Sequence, residues 1–250
     1  MIKGMAAIIE HDFRVFFKYR WFLAGLISMN LADLLIMAVV FTKMVSFDYF
    51  RFLAPGIATM GLFAAAFVIG REVNNETRRG YNQYLLSLPI RRWQLVLGRM
   101  VAGGIRGVMY AVPLLVLAMI VLKFPSAVEI GLMLLAMYLL GMGISGLAIS
   151  LAVALRSFER FTTARGLLYL LLVFCSTVFY PLTILQQILR GPLILFARTN
   201  PLSTVSDLLR GYLIGSPAVT LFSWLELLAF SGIFIISGAA LYSLAIERSV

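Results

Sequence analysis

Six stretches of predominantly apolar residues dominate this chain: Trp21–Val45, Phe52–Ile69, Val101–Leu122, Ile130–Leu155, Leu167–Tyr180 and Leu221–Ala245. A hydrocarbon core about 30 Å thick takes roughly 20 apolar residues in a helix, so five of these runs are long enough to span it and the fifth in order is the shortest. With 62% hydrophobic and 13% charged residues and a mean hydropathy of +0.97, the chain lies far outside the range of soluble globular domains. The expectation is an all-α membrane protein with six transmembrane helices. Residues 1–250 are expected to form a single polytopic domain with no separate soluble one.

The net charge of +10 is explained by placement. With the N-terminus cytoplasmic, Lys3, Arg14, Lys18 and Arg20 lie inside. So do Arg71, Arg78, Arg79, Arg91, Arg92, Arg99 and Arg106 between the second and third spans, then Arg156, Arg160, Arg165 and Arg248. Only Lys43, Arg51, Lys123, Arg190, Arg198 and Arg210 fall outside, which is the bias of the positive-inside rule. A multi-pass protein of the plasma membrane with both termini cytoplasmic is expected. The charge reports topology and attraction to anionic lipid, and no nucleic-acid partner is implied.

Residues 1–20 read as an interfacial amphipathic helix, with Ile2, Met5, Ala6, Ile9, Phe13, Phe16 and Phe17 on one face and Lys3, Glu10, Arg14 and Lys18 on the other. Glu10, His11, Asp12, Arg14 and Lys18 interrupt any apolar signal-peptide core, so the first span is expected to direct insertion. Residues 71–99 are the most polar part of the chain, a loop holding six arginines between two spans. Ser87 and Pro89 are suited to start a short helix there. Arg91, Arg92 and Trp93 then offer charge and an aromatic anchor, the composition of a docking surface, whereas Arg71, Arg78, Arg79 and Arg99 read as topology anchors.

Residues 181–217 break the pattern. Leu182–Ala197 is apolar but interrupted by Arg190-Gly191-Pro192, and unpaired backbone groups at mid-depth are costly in lipid. Short re-entrant helices on the outer side are expected, followed by Pro201–Gly211 as an amphipathic turn of helix. Small residues four apart occur at Gly103/Gly107, Gly141/Ser145, Gly146/Ser150 and Gly211/Gly215. They suit close helix packing within one subunit or a dimer seam.

Catalytic patterns are missing from the sequence. One histidine (His11) and one cysteine (Cys175) build no Cys/His metal site or dyad, so no metal and no catalytic residue is expected. No G-x-x-x-x-G-K-[ST] loop occurs, so any ATP is bound by another chain. Asp33 sits near the middle of the first span with Asn30 on nearly the same face. A carboxylate at that depth marks either a pathway or an interhelical hydrogen bond. Arg106 and Glu226 fall near span ends, where snorkelling explains them.

Three ordered segments resemble the membrane subunit of type-2 ABC exporters, the drug, lipid and polysaccharide exporter class. They are Tyr49-Phe50-Arg51-Phe52-Leu53-Ala54-Pro55-Gly56-Ile57; Arg71-Glu72 leading to Leu86-Ser87-Leu88-Pro89-Ile90-Arg91-Arg92 and Leu97-Gly98-Arg99; and Phe179-Tyr180-Pro181-Leu182 with Asn200-Pro201-Leu202 and Asp207-Leu208-Leu209-Arg210-Gly211. Where that family commonly carries Gly-Thr before the coupling helix, this chain has Gly80-Tyr81.

The resemblance implies a non-enzymatic permease subunit. It would pair with a second copy of itself or a homologous permease and bind two cytoplasmic ABC ATPase subunits that carry ATP and Mg. It assigns ATPase coupling to Leu88, Pro89, Ile90, Arg91, Arg92 and Trp93, supported by Glu72. It assigns the outer gate or re-entrant region to Tyr180, Pro181, Asn200, Pro201, Asp207 and Arg210. The pathway would run at the subunit interface along the first, second and fifth spans. Two other classes fit the residues: a membrane scaffold or sensor that recruits a soluble partner through the insert, and a proton-coupled secondary carrier using Asp33.

Overall fold

The computed structural model describes residues 8–10, 12–14, 18, 20–42, 44, 48–80, 92–155, 157–188, 190–215 and 220–247. Among these residues the chain is all-helical, with no strand. After the N-terminal helical segment come α1 (Arg20–Thr42), α2 (Tyr49–Arg78), α3 (Arg92–Val121), α4 (Ala127–Ala154) and α5 (Phe158–Phe174). Three short helices follow, α6 (Leu182–Ile188), α7 (Pro192–Thr199) and α8 (Pro201–Ile214), and α9 (Leu221–Glu247) ends the bundle.

Local chemistry sets several boundaries. Asp48 caps α2 by accepting from the Arg51 N–H at 3.2 Å. Ser126 and Glu129 form a reciprocal capping box at the start of α4, which satisfies two otherwise orphaned backbone donors. Pro201 opens α8, where a missing N–H is harmless, and Gly215 closes it in the left-handed conformation at φ 76°.

Among the described residues four helices are long and apolar enough to cross a membrane: α2, residues 93–121 of α3, α4, and residues 221–245 of α9. Each coincides with an expected span. The first expected span contributes a shorter apolar helix, Ile27–Phe41, and the fifth forms the 17-residue α5.

Helix α2 is the axis of the bundle, buried along most of its length and packed by α1, α3, α4, α5 and α8. Helix α9 lies against α4. The small-residue pairs serve this internal packing. A Cβ on Gly103 would collide with Ser145 of α4, one on Gly141 would sit 2.9 Å from the Gly104 Cα, and one on Gly146 would strike the Phe234 carbonyl of α9. Three of the four pairs thus bring together helices of one chain, and Gly215 of the fourth is a helix cap.

Helix α8 departs from the expected amphipathic turn on the outer side. Pro201–Ser206, Leu208–Arg210 and Leu213 are buried, and the helix packs on α2, α4 and α9. Asp207 and Arg210 pair with each other in it. In the N-terminal segment the inward stripe runs through Ile8 and Asp12, which are buried, while Ile9 and Phe13 are only half-buried. Of the expected apolar face, Ile2, Met5, Ala6, Phe16 and Phe17 lie outside the described residues.

Candidate functional site

The end of α2 and the start of α3 flank the polar insert, and the bundle is braced there by ion pairs. Arg106 of α3 is fully buried, and its Nη1 donates to both carboxylate oxygens of Glu72 on α2 at 3.0 and 2.9 Å. Its Nη2 donates to the backbone carbonyl of Asp12, which fastens the N-terminal segment to the same point. Snorkelling therefore does not describe Arg106. Nor is Arg99 a simple topology anchor: it is buried and pairs with Glu76 at 2.5 Å, and its guanidinium stands 5.8 Å from the ring centroid of Tyr242 in α9.

Between the two glutamates, Asn74 donates to the Ala152 and Leu155 carbonyls at 3.3 and 2.8 Å, closing the last turn of α4. Arg78 lies 5.7 Å from the Phe158 ring centroid at the start of α5. Residues 72–78 thus connect α2 to α3, α4, α5, and, through the two arginines, to α9 and the N-terminal segment. Buried arginines persist because each is paired and can donate in several directions at once, which an ammonium group does less well.

Of the residues expected to carry coupling, Leu88, Pro89, Ile90 and Arg91 lie outside the described residues, and Arg92 is the first residue of α3. Trp93 follows it and is 44% exposed, while Gln94 is buried. Glu72, expected to support coupling, pairs with Arg106. Arg99, Arg106, Asp12, Asn74 and Tyr242 were missed as members of this cluster. The available signal was an acidic i,i+4 pair at one span end facing arginines in the next span.

The residues that the resemblance assigned to an outer gate lie toward the opposite end of α2. Arg210 of α8 donates to the Phe52 carbonyl at 2.9 Å, the Val178 carbonyl at 3.0 Å and the Asp207 carboxylate at 2.7 Å, with its guanidinium 3.6 Å from the Phe52 ring centroid. Asp207 also accepts from the Thr177 hydroxyl at 3.0 Å. Asn200 donates to the Leu172 and Cys175 carbonyls at 2.8 and 2.9 Å, while its side-chain oxygen accepts from Leu202 at 3.0 Å. It ties the end of α5 to the start of α8.

The Pro181 carbonyl accepts the first N–H bonds of α6. Tyr180 stays partly exposed with its ring against Phe179. Tyr49 reaches the Phe179 carbonyl at 3.0 Å. A carboxylate, a guanidinium and two carbonyls, bonded to one another, make a lock between segments distant in sequence.

Halfway along the bundle, Asn30 and Asp33 separate in role. Asn30 is buried and donates to the Tyr110 hydroxyl at 2.9 Å, the interhelical hydrogen bond that was one of its two readings. Asp33, three residues on, is only half-buried.

The family model for ABC-2 type transporters matches residues 5–214, a stretch that takes in the N-terminal segment, both braced ends and all three short helices. No curated protein matches the chain. The chain belongs to the ABC-2 type transporter family, as a multi-pass membrane permease subunit.

Proposed function

We propose that this permease works as half of an ATP-driven exporter in the plasma membrane. Two such subunits, identical or homologous, form the pathway, and each seats residues 88–93 in a cytoplasmic ATPase that binds ATP and Mg. Both termini face the cytoplasm, the six apolar helices all span, and residues 181–217 form re-entrant helices with an outer gate.

The observation that carries this reading is the pair of braces, Glu72–Arg106 and Glu76–Arg99, on the two helices that flank the insert. A displacement applied to the insert cannot be absorbed by sliding α2 against α3 without separating buried charges. The two helices, the N-terminal segment and α9 therefore move together, which is the rigid-body motion that converts ATPase closure into alternating access.

The test is co-expression with a candidate ABC ATPase. The wild type is expected to co-purify with it and stimulate ATP hydrolysis, and Arg91→Glu/Arg92→Glu to lose both. Unchanged assembly and stimulation in the charge-reversed protein would remove the coupling role.

A further inference from the structure

The seam between α2 and α5 carries charges that neither brace uses. Phe67, Arg71 and Arg78 are successively four and seven residues apart, so they lie along one face of α2. Phe158, Phe161 and Arg165, three and four apart, do the same on α5. Distances fix the two faces against each other. The Arg165 guanidinium stands 5.9 Å from the Phe67 ring centroid, the Phe67 and Phe161 rings are 6.3 Å apart, and Arg78 lies 5.7 Å from Phe158. Arg71 falls between these contacts, one turn beyond Phe67, and its charge repels that of Arg165. Phe67 and Phe161 are fully buried and back the seam. Arg71 and Arg165 are half-buried, and Arg78 and Phe158 are exposed, so the seam opens outward.

Among the described residues the side chains of Arg78 and Arg165 form no ion pair and no hydrogen bond; each meets a ring instead. Glu72 and Glu76 lie about 140° and about 180° round α2 from Phe67 at roughly 100° per residue, and arginines of α3 hold both. Glu159, exposed on α5, forms no ion pair with the seam. Arg165 is about 10 Å into α5 from Phe158 at 1.5 Å per residue, where an unpartnered arginine in lipid is costly. Its side chain leans back toward the start of the helix. That end is cytoplasmic in the proposed orientation, so the guanidinium points to the headgroup level of the inner leaflet.

A guanidinium offers a plane of N–H donors that matches phosphate oxygens, and basic clefts between spanning helices on the cytoplasmic side suit anionic headgroups. We infer that the α2–α5 seam binds the phosphate of an anionic phospholipid of the inner leaflet through Arg71, Arg78 and Arg165, with exposed Phe158 as its apolar edge. The lipid clamps α5 to α2. This site goes beyond the coupling reading and does not depend on it.

The experiment titrates phosphatidylglycerol into the delipidated full-length chain in an uncharged detergent and counts bound lipid by native mass spectrometry. Phosphatidylcholine and inorganic phosphate are run in parallel. The wild type is expected to bind phosphatidylglycerol about fivefold or more tighter than phosphatidylcholine. Arg165→Gln and Arg78→Gln are each expected to weaken phosphatidylglycerol about fivefold. Arg160→Gln removes the same charge from the opposite, exposed side of α5 and is expected to change binding by about twofold at most.

Arg78 is exposed, so Arg78→Gln carries the test if Arg165→Gln fails to fold. Three results overturn the site: equal binding of the two lipids, an Arg160→Gln loss as large as that of Arg78→Gln, or displacement of the lipid by inorganic phosphate. The first two mean diffuse attraction or none, and the third means a site for the free anion.

Discussion

One nitrogen of Arg106 spans both carboxylate oxygens of Glu72, and the other reaches the Asp12 carbonyl, so a single buried guanidinium joins α3, α2 and the N-terminal segment. The sequence separations, 34 and 94 residues, mean that this contact exists only when the bundle is assembled.

Removing one partner from that contact strands the other. Arg106→Met is expected to destabilise the protein by about 3–5 kcal/mol, because Glu72 stays buried without its cation. Adding Glu72→Gln to Arg106→Met is expected to recover part of that loss. Thermal unfolding in detergent, run as a double-mutant cycle, measures the coupling. Additive effects would mean that the two residues do not hold each other.

At the other end, Arg210→Lys keeps the charge but loses the planar set of donors that reaches Phe52, Val178 and Asp207 together. A loss of about 2–4 kcal/mol is expected, from charge-assisted hydrogen bonds of about 1.5–3 kcal/mol each that are only partly replaced. Limited proteolysis between residues 176 and 200, compared with wild type, reports the loosening directly. A lysine variant as resistant and as stable as the wild type contradicts the lock.

Glycines divide by what surrounds them. Gly146→Ala drives a methyl into the Phe234 backbone carbonyl and is expected to cost about 1–3 kcal/mol as α4 and α9 are forced apart. Gly131→Ala meets nothing within 4 Å in the same helix and is expected to stabilise by about 0.4–1 kcal/mol through the unfolded chain. Opposite signs in the two unfolding temperatures are the result to look for.

Trp93 is exposed beside buried Gln94 and Leu95, so Trp93→Ala is expected to leave unfolding within about 0.5 kcal/mol of wild type. As an aromatic anchor it is expected to weaken ATPase capture by about 2 kcal/mol, some thirtyfold in Kd. Capture at wild-type affinity would move the docking surface elsewhere on the insert.

The helical class, the four long apolar helices and the breaks around Arg190-Gly191-Pro192 were legible in the residues. They depend on hydropathy over a window or on neighbours within one turn. The ordered motifs from Tyr49 to Gly211 were enough to point to the family. The fate of each charge within those segments was not legible. Arg99 read as a topology anchor and Arg106 as a snorkelling residue near a span end, yet Glu76 and Glu72 hold both inside the bundle.

The resemblance assigned Asp207 and Arg210 to an outer gate or re-entrant region; in the fold they pair with each other, and carbonyls of residues 52 and 178 accept the remaining Arg210 donors, which lets α8 be buried. Asn30 and Asp33 had the same reading, and only the position of Tyr110, 80 residues away, told them apart. Local signals set which segments become helices. Whether a polar side chain ends buried or open depended on partners far away in sequence, because the cost of burying charge is cancelled only where the tertiary fold supplies the opposite charge or a carbonyl.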